Sequence, residues 1–154
     1  AGLASVLRAG ALVPVLATVG FRVVMYDNRE ELAKKENYPM ASEVIFGSFS
    51  DISGKVALTA NDYAVVMTPG HQADYEILSQ VLGSDATYIG CIGSRTKVAK
   101  THERLKCDGY TEEDIARVHA PIGLPILAET PEEIAISIAA EMIEHRARLA
   151  GQRH

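Results

Sequence analysis

The sequence predicts an α/β fold, a doubly wound three-layer sandwich with a mostly parallel sheet. Short apolar runs rich in β-branched and aromatic residues alternate along the chain with longer segments in which apolar residues recur at helical spacing. This alternation is typical of βαβ units, which build parallel sheets. The 154 residues contain no internal repeat or low-complexity linker, and they suffice for one domain with its own core.

Four apolar runs are the predicted strands, and each is followed by a glycine, a proline or a polar turn. They are residues 21–26 (FRVVMY), 43–46 (EVIF), 62–68 (DYAVVMT) and 88–92 (YIGCI). Open parallel sheets bind ligands at the carboxyl ends of their strands. We therefore expect a site among the loops at residues 27–29, 68–74, 93–97 and 120–124.

Segments with helical patterns lie between and after these strands. They are residues 11–19, 30–37, 72–82, 95–107, 111–118 and a long segment that starts at Thr130. The last segment has the clearest start signal. Thr130 is a suitable N-cap, Pro131 fits the first helical position, and Glu133 completes a capping box.

The composition is typical of a soluble globular protein, with 47% hydrophobic and 23% charged residues. A net charge of −5 argues against a general nucleic-acid binder, which needs a basic surface to hold phosphates. No apolar run approaches the roughly 20 residues of a membrane helix, and no signal peptide is evident. The two cysteines lack metal-ligand spacing and favour a cytoplasmic protein. The five histidines are scattered, so no metal site is predicted.

The stretch YIGCIGSRTK joins a strand to a helix and has the features of an anion site. Gly93 ends the strand, and Ser94 is a suitable N-cap for the helix that follows. Arg95 and Lys97 place two cations in the first turn, where free N–H groups and the helix dipole already favour an anion. Because cations gain nothing from the dipole at this end, we interpret them as ligands of a bound anion. Two solvated charges at an ordinary turn are the alternative.

An acidic residue directly follows the strand at residues 21–26. In dinucleotide-binding folds, a carboxylate at this place accepts hydrogen bonds from the adenosine ribose. Asp27 is the candidate, with Asn28 beside it, and Arg29 lies close enough to stack on an adenine or to meet a phosphate. Asp27 would repel a 2′-phosphate, which favours NAD over NADP. A strand terminator without a ligand is the alternative.

The loop TPGHQAD brings several polar groups to one strand end. Thr68 offers a hydroxyl, Gly70 a free amide, His71 an imidazole and Asp74 a carboxylate. His71 and Asp74 are three residues apart, so both can face one side of the first turn of the next helix. His71 is a candidate general acid/base or cofactor contact. Helix capping by His71 and Asp74 is the alternative.

The glycine-rich fingerprint of dinucleotide-binding folds is not present. Only Gly10 with its two alanine neighbours resembles its core, although the fingerprint normally follows the strand in the middle of the sheet. Either residues 3–7 supply that strand, or residues are absent from this chain, which is the expectation here. We accordingly divide the chain into residues 1–10, a remnant of an N-terminal segment or first strand, and residues 11–154, the α/β domain.

Four segments resemble, in unbroken order, the Rossmann domain of the XdhC/CoxI family. They are VVMTPGHQAD, YIGCIGSRTK, RVHAPIGL and ETPEEIAISIAAEMI, and the resemblance runs from about residue 11 to residue 143. Members of this family are maturation factors for xanthine dehydrogenase, carbon monoxide dehydrogenase and related molybdenum hydroxylases. The resemblance implies a Rossmann-like domain that binds the molybdenum cofactor (molybdopterin) and delivers it to the apo-enzyme. Because no complete catalytic set is visible in the sequence, we expect binding and delivery and not turnover.

The resemblance also implies which residues line the ligand crevice. They are Gly10, Asp27, Gly70, His71, Gly93, Ser94 and Arg95. It implies an anionic pterin phosphate or pyrophosphate there, in agreement with the cations at residues 95 and 97. NAD(P) is the other expected cofactor, and an NAD(P)-dependent oxidoreductase with His71 as acid/base is the alternative function.

The partner that the resemblance implies is a molybdenum hydroxylase client, and we also expect a homodimer. Neither nucleic acid nor a membrane is an expected partner. Ile134, Ile138 and Met142 share one face of the last helix. This face is the predicted contact with the core, and a seam to a second copy is the alternative.

Overall fold

The computed structural model describes residues 2–5, 9–68 and 71–152. The strands are β1 Gly2–Ser5, β2 Val23–Asp27, β3 Glu43–Phe46, β4 Tyr63–Val66, β5 Tyr88–Cys91 and β6 Val118–His119. The helices are α1 Ala9–Thr18, α2 Ile52–Lys55, α3 His71–Val81, α4 Arg95–Cys107, α5 Glu112–Ala116 and α6 Pro131–Gln152. Short 3₁₀ turns form at Lys35–Asn37 and Phe49–Asp51.

All described strand pairs are parallel, and the order across the sheet is β3-β2-β1-β4-β5-β6. From β1 in the middle of the sheet, the chain fills one half and then returns to fill the other half. The strand order therefore reverses between β1 and β4, which is the topological switch point where doubly wound sheets bind ligands. The predicted α/β, Rossmann-like fold class is confirmed.

Strand β1 occupies the middle of the sheet. Leu3 pairs with Val24 of β2 on one side and with Ala64 of β4 on the other. The described chain thus supplies the central strand itself, at Gly2–Ser5, so the expectation that the residues of this strand are absent from the chain is wrong. Helix α1 begins at Ala9, so the division after residue 10 falls inside a helix.

Two hydrophobic layers flank the sheet. One contains side chains of α1 and α6 packed on β2, β4 and β5, and its least accessible members include Leu12, Leu16, Met25, Ile138 and Met142. The other contains side chains of α3 and α4, including Ile77, Leu78 and Leu105. The predicted core face of the last helix therefore packs inside this chain and does not form a seam to a partner.

Two predicted helices differ from the structure. Residues 30–37 form turns and the 3₁₀ turn Lys35–Asn37, because this charged segment has no apolar face to bury. The helix predicted for residues 111–118 ends at Ala116, and Val118 instead pairs with Ile89 of β5. Sheet pairing at Val118 overrides the local helical pattern, so a sixth strand replaces the last helical turn.

The predicted capping box of α6 is confirmed. The amide of Glu133 donates to Thr130 Oγ1 at 3.1 Å, and the amide of Thr130 donates to Glu133 Oε1 at 3.0 Å. The amide of Glu129 also donates to Glu133 Oε1, at 2.9 Å, and the hydrogen bonds from the Thr130 and Glu129 amides to this carboxylate lower the pKa of Glu133. Although α6 has 22 residues, neither it nor another helix in the described ranges has the apolar length to cross a membrane.

Candidate functional site

The carboxyl edge of the sheet brings together most of the residues that the sequence singles out. Asp27 is the last residue of β2, Thr68 follows β4, and Ser94 follows β5. Gly10 lies in the first turn of α1, the helix that follows the central strand. Because β2, β1, β4 and β5 are neighbours in a parallel sheet, these positions share one rim. Gly70 lies outside the described residues, and for His71 the structure describes the backbone at the start of α3.

Gly10, in the first turn of α1, faces open space among the described residues. A Cβ atom added to Gly10 would meet no other heavy atom of the described residues within 4 Å. The first turn of α1 also contains no acidic side chain. No acidic side chain of this first turn therefore competes with an anion for the positive end of the helix dipole.

Asp27 is fully buried and is paired with Arg29. The guanidinium of Arg29 donates from Nε to Asp27 Oδ1 and from Nη2 to Oδ2, both at 3.1 Å, and the Arg29 amide donates to Oδ1 at 3.0 Å. This hydrogen bonding raises the pKa of Arg29. The carboxylate stands at the predicted position, but a ribose would have to share it with Arg29. Asn28, between them, is exposed.

Tyr38 belongs to the same end of the crevice and was not predicted. Burial and the charge of Asp27 raise the pKa of Tyr38, while Arg29 lowers it, which places the phenol close to both groups. The ring also packs against the hydrophobic layer below it. A single aromatic residue in a charged, irregular segment gives no periodic signal, so the sequence pattern could not identify it.

A buried ion pair lies beneath the loops that follow β4 and β5. Asp74 is 0% exposed, and the Lys97 ammonium lies 2.8 Å from its Oδ2. The Thr68 hydroxyl donates to Asp74 Oδ1. The Lys97 ammonium also donates to the backbone carbonyls of Thr68, at 2.5 Å, and Ile92, at 3.3 Å. The ion pair therefore connects the loop after β4 to the loop after β5.

This arrangement corrects two expectations from the sequence. Lys97 is not a free cation in the first turn of α4, because its ammonium is surrounded by oxygen atoms of this chain. Asp74 points into the interior and is not presented at the mouth of the crevice beside His71. The absence of a side chain at Gly93 leaves room for the Lys97 side chain, because a Cβ there would lie 2.8 Å from Lys97 Cδ.

Arg95 remains available at the rim. The Ser94 hydroxyl caps α4, as predicted, by accepting from the Lys97 amide at 3.2 Å. Arg95 is exposed and has no hydrogen bond or ion pair with the rest of the described chain. The first turn of α4 has no acidic side chain. Arg95 and the amino-terminal end of α4 together offer positive potential, and no acidic side chain of the first turn neutralises it.

A second polar cluster, which was not predicted, ties α6 to the edge of the sheet. The Tyr88 hydroxyl donates to Glu141 Oε1 at 2.7 Å, and His119 Nδ1 lies 3.1 Å from the same oxygen. The His119 ring stacks on Tyr88 with centroids 4.5 Å apart. Burial is the main cause that raises the pKa of Tyr88, followed by Glu141. These contacts join elements of the fold, and within the described residues no group of His, Cys, Asp and Glu suits a metal ion.

Cys91 is expected to resist alkylation in the native protein. Its thiol is buried on β5, and burial, with the nearby Asp74 charge, raises its pKa to about 12. At pH 8 the thiolate fraction would then be on the order of 10⁻⁴, whereas Cys107 is exposed. Iodoacetamide followed by mass spectrometry should label one thiol in the native protein and two in denaturant. Equal labelling of both native thiols would show that Cys91 is accessible.

Comparison with known proteins places the chain in a family. A family model described as the XdhC Rossmann domain matches residues 5–142. A Bacillus subtilis protein named as a probable subunit of xanthine dehydrogenase is 31% identical over 139 residues, which cover 90% of this chain and 40% of that protein. The YqeB protein of Escherichia coli, described as uncharacterized, is also 31% identical, over 135 residues that cover 87% of this chain and 25% of YqeB.

A solved structure with the same level of sequence identity to this chain has the same fold. A crystal structure described as a xanthine dehydrogenase from Bacillus halodurans superimposes with a TM-score of 0.82 at 31% identity, covering 96% of this chain and 43% of that one. The chain thus spans less than half the length of each of these relatives. Since the family model covers most of the sequence and the sheet has the expected strand order, this chain belongs to the XdhC Rossmann-domain family.

Proposed function

We propose that this domain takes part in the maturation of molybdenum hydroxylases of the xanthine dehydrogenase type. In this role it binds the molybdenum cofactor, or a nucleotide, in the crevice at the carboxyl edge of the sheet and passes it to a client enzyme. The observation that carries the proposal is the strand order, with its switch point between β1 and β4, where α1 begins with no acidic residue in its first turn. Family membership, together with the names of two relatives, supports the client class.

The charges at the rim support an anionic ligand. The starts of α1 and α4 both lack acidic residues, and Arg95 has no counter-charge among the described residues. Lys97 and Arg29, by contrast, are neutralised by Asp74 and Asp27. The net positive potential is therefore concentrated at the helix ends, where a phosphate or pyrophosphate would receive backbone N–H groups.

The residues present fit a phosphorylated pterin or a dinucleotide. The amides near Gly10 and Ser94, with Arg95, would hold the phosphate groups, and the absence of a side chain at Gly10 leaves room for close approach. The pair of Asp27 and Arg29, with Tyr38 beside it, would contact a ribose or a planar ring. A bound molybdenum cofactor would bring the metal and its sulfur ligands, while this chain binds and orients it.

An NAD(P)-dependent oxidoreductase is the second candidate function. It is supported by the buried carboxylate at the end of β2, which is the position of the ribose-binding acid in dinucleotide folds. His71, at the start of α3, would be the acid/base of that reaction. The two candidates differ in which ligand the crevice retains and in whether hydride transfer follows.

Arg95→Ala is expected to weaken ligand binding roughly ten-fold or more, because it removes a charge-assisted hydrogen bond. Extracted molybdenum cofactor would be added anaerobically, and its co-elution with the protein on gel filtration would be measured by pterin fluorescence. NAD⁺ and NADP⁺ would be titrated calorimetrically in parallel. Since Arg95 is exposed and has no described partner, the thermal midpoint should not change.

Lys100→Ala is the matched control, because it removes one positive charge from an exposed position of the same helix, further from the helix start. The control should bind like the unmodified protein. Retention of NAD⁺ with no retention of the pterin would exclude the carrier role and favour the oxidoreductase. Equal affinities of the Arg95→Ala and Lys100→Ala variants would place Arg95 outside the site.

A further inference from the structure

An aromatic side chain is exposed at the carboxyl edge of the sheet. Phe46 is the last residue of β3 and is 49% exposed, whereas the other two phenylalanines, Phe21 and Phe49, are each 7% exposed. Phenylalanine contributes most to stability when its ring is buried, so the exposed ring of Phe46 adds little to the core. A ring that lies open at the edge of a ligand crevice is a candidate contact for that ligand.

The pairing of β3 with β2 places this ring beside Asp27. Phe46 is the register partner of Asp27, as Val44 is the partner of Met25. Side chains alternate between the two faces of a sheet, and Met25 and Val44 lie on the face that packs against α1. Phe46 and Asp27, two residues further along, therefore point to the same side of the sheet as α1.

Two further groups border Asp27 on this side. Tyr38 packs against the hydrophobic layer of α1, and its phenol is close to Asp27 and Arg29. The guanidinium of Arg29 is held by its two hydrogen bonds to the Asp27 carboxylate, and the Arg29 side chain remains 30% exposed. Aromatic rings and guanidinium planes are both surfaces on which a planar ring can stack.

The charges beside Phe46 cancel one another. Asp27 forms an ion pair with Arg29. Burial, together with the charge of Asp27, raises the pKa of Tyr38, so its phenol is uncharged at neutral pH. These three residues therefore carry no net charge, and they suit an uncharged ring better than a phosphate.

We propose that Phe46, Tyr38 and the guanidinium of Arg29, together called the ring subsite, bind a planar heteroaromatic ring at the β3 end of the crevice. The proposal rests on the proposed function and deepens it, because the phosphates of the same ligand would bind at the start of α1. Neighbouring strands are about 4.8 Å apart, so β3 lies roughly 10 Å from β1. Nucleoside diphosphates, in which a ribose separates the base from the phosphates, are the simplest ligand class with this layout.

Hydrogen bonds hold the end of β3 in place without a ligand. The amide of Gly47 donates to the carbonyl of Asp27 at 3.0 Å, and Lys55 Nζ donates to the carbonyl of Phe46 at 3.3 Å. A Cβ at Gly47 would lie 2.9 Å from Lys55 Cδ, so the absence of a side chain there leaves room for the lysine. The ring subsite is therefore preorganised, which reduces the entropy that binding costs.

ADP and ribose 5-phosphate are suitable probes, because ADP carries a base and ribose 5-phosphate does not. In calorimetric titrations, ADP should bind at least about ten-fold more tightly, since stacking of a base on an aromatic side chain contributes to affinity. GDP and CDP should bind like ADP within a few-fold, because stacking tolerates every base.

Phe46→Ala is expected to weaken ADP binding roughly 5- to 100-fold and to leave the affinity for ribose 5-phosphate unchanged. Phe46→Tyr keeps an aromatic ring and should bind ADP like the unmodified protein. Met40→Ala is the matched control, because it removes an apolar side chain of similar exposure, 48%, from the connection that precedes β3. The control should bind ADP normally, and circular dichroism should show that all three variants remain folded.

Two outcomes would overturn the ring subsite and leave the proposed function intact. One is ADP binding that is absent, or no tighter than that of ribose 5-phosphate, in a protein that retains the molybdenum cofactor on gel filtration. The other is equal ADP affinity of the Phe46→Ala and Met40→Ala variants, which would place the base elsewhere. A protein that binds neither ADP nor the molybdenum cofactor would contradict both the ring subsite and the proposed function.

Discussion

Replacing Lys97 with methionine is expected to lower the free energy of unfolding by about 3–5 kcal/mol. The reason is the carboxylate that the change leaves behind. Asp74 is fully buried, and its Oδ2 has no hydrogen-bond partner among the described residues, so the Lys97 ammonium 2.8 Å away is the charge that compensates it. Methionine has a similar volume and keeps the packing of the stem, so the loss reports the ammonium group, with its ion pair and its two hydrogen bonds to carbonyls.

Asp74→Asn is expected to cost less than Lys97→Met. Asparagine retains an oxygen for the Thr68 hydroxyl and removes the buried negative charge. The Lys97 side chain is 16% exposed, so its ammonium keeps some access to solvent and keeps its two carbonyl acceptors. The double variant Asp74→Asn/Lys97→Met should therefore be more stable than Lys97→Met alone, although it lacks both charges.

The measurement is urea unfolding followed by far-ultraviolet circular dichroism, since the chain contains no tryptophan. The double-mutant cycle should give a coupling energy of about 1–3 kcal/mol between residues 74 and 97. Additive effects of the two changes would mean that the ion pair contributes nothing specific. A Lys97→Met variant within about 0.5 kcal/mol of the unmodified protein would show that Asp74 is compensated in another way.

Most of the sheet could be predicted from the sequence because its strands are apolar on both faces. The runs at β2, β3, β4 and β5 stand out from their polar neighbours, and the alternation of strands with helical segments along most of the chain favours parallel pairing. Strands β1 and β6 have four and two residues. Such short segments form strands because they pair with neighbouring strands. Those strands are distant in the sequence, so the residues of the short segments do not predict the pairing.

Parts of the site could be predicted for the same reason. Asp27 and Ser94 act at the ends of a strand and a helix, so their own neighbours in sequence indicate their positions. The partner of a charge is harder to predict. Lys97 and Asp74 lie on different helices, and only the packing of α3 beside α4 brings them together. Charges near a helix start therefore need not face a ligand.

The two ion pairs change how the crevice is interpreted. In the sequence, the five charged residues at positions 27, 29, 74, 95 and 97 suggest a crowded polar site. In the structure Asp27 neutralises Arg29 and Asp74 neutralises Lys97, and both acids are buried. The electrostatic field at the rim is then set mainly by helix ends and by Arg95. Selectivity for an anion would therefore come largely from backbone N–H groups, which a sequence motif does not reveal.

Gly123→Ala is expected to lower the free energy of unfolding by about 2–5 kcal/mol, through two effects that add. Gly123 has φ = +100°, a conformation that costs an L-residue with a side chain about 1–2 kcal/mol. A Cβ at this position would also overlap the Ser137 hydroxyl of α6. That hydroxyl donates to the Leu124 carbonyl at 3.1 Å, and the Leu124 amide donates to the Ser137 carbonyl at 3.2 Å. Moving Ser137 would therefore loosen the loop from the helix.

Gly109→Ala separates the two effects, because Gly109 has φ = +96° and a Cβ there would meet no described heavy atom within 4 Å. It should show the conformational cost alone, so the difference between the two variants measures the overlap, about 1–3 kcal/mol. Adding Ser137→Ala to Gly123→Ala should recover part of that difference by removing the overlapping oxygen. Equal losses at residues 109 and 123 would mean that Ser137 moves aside without cost. In that case the close packing of this loop on α6 would contribute little to the free energy of unfolding.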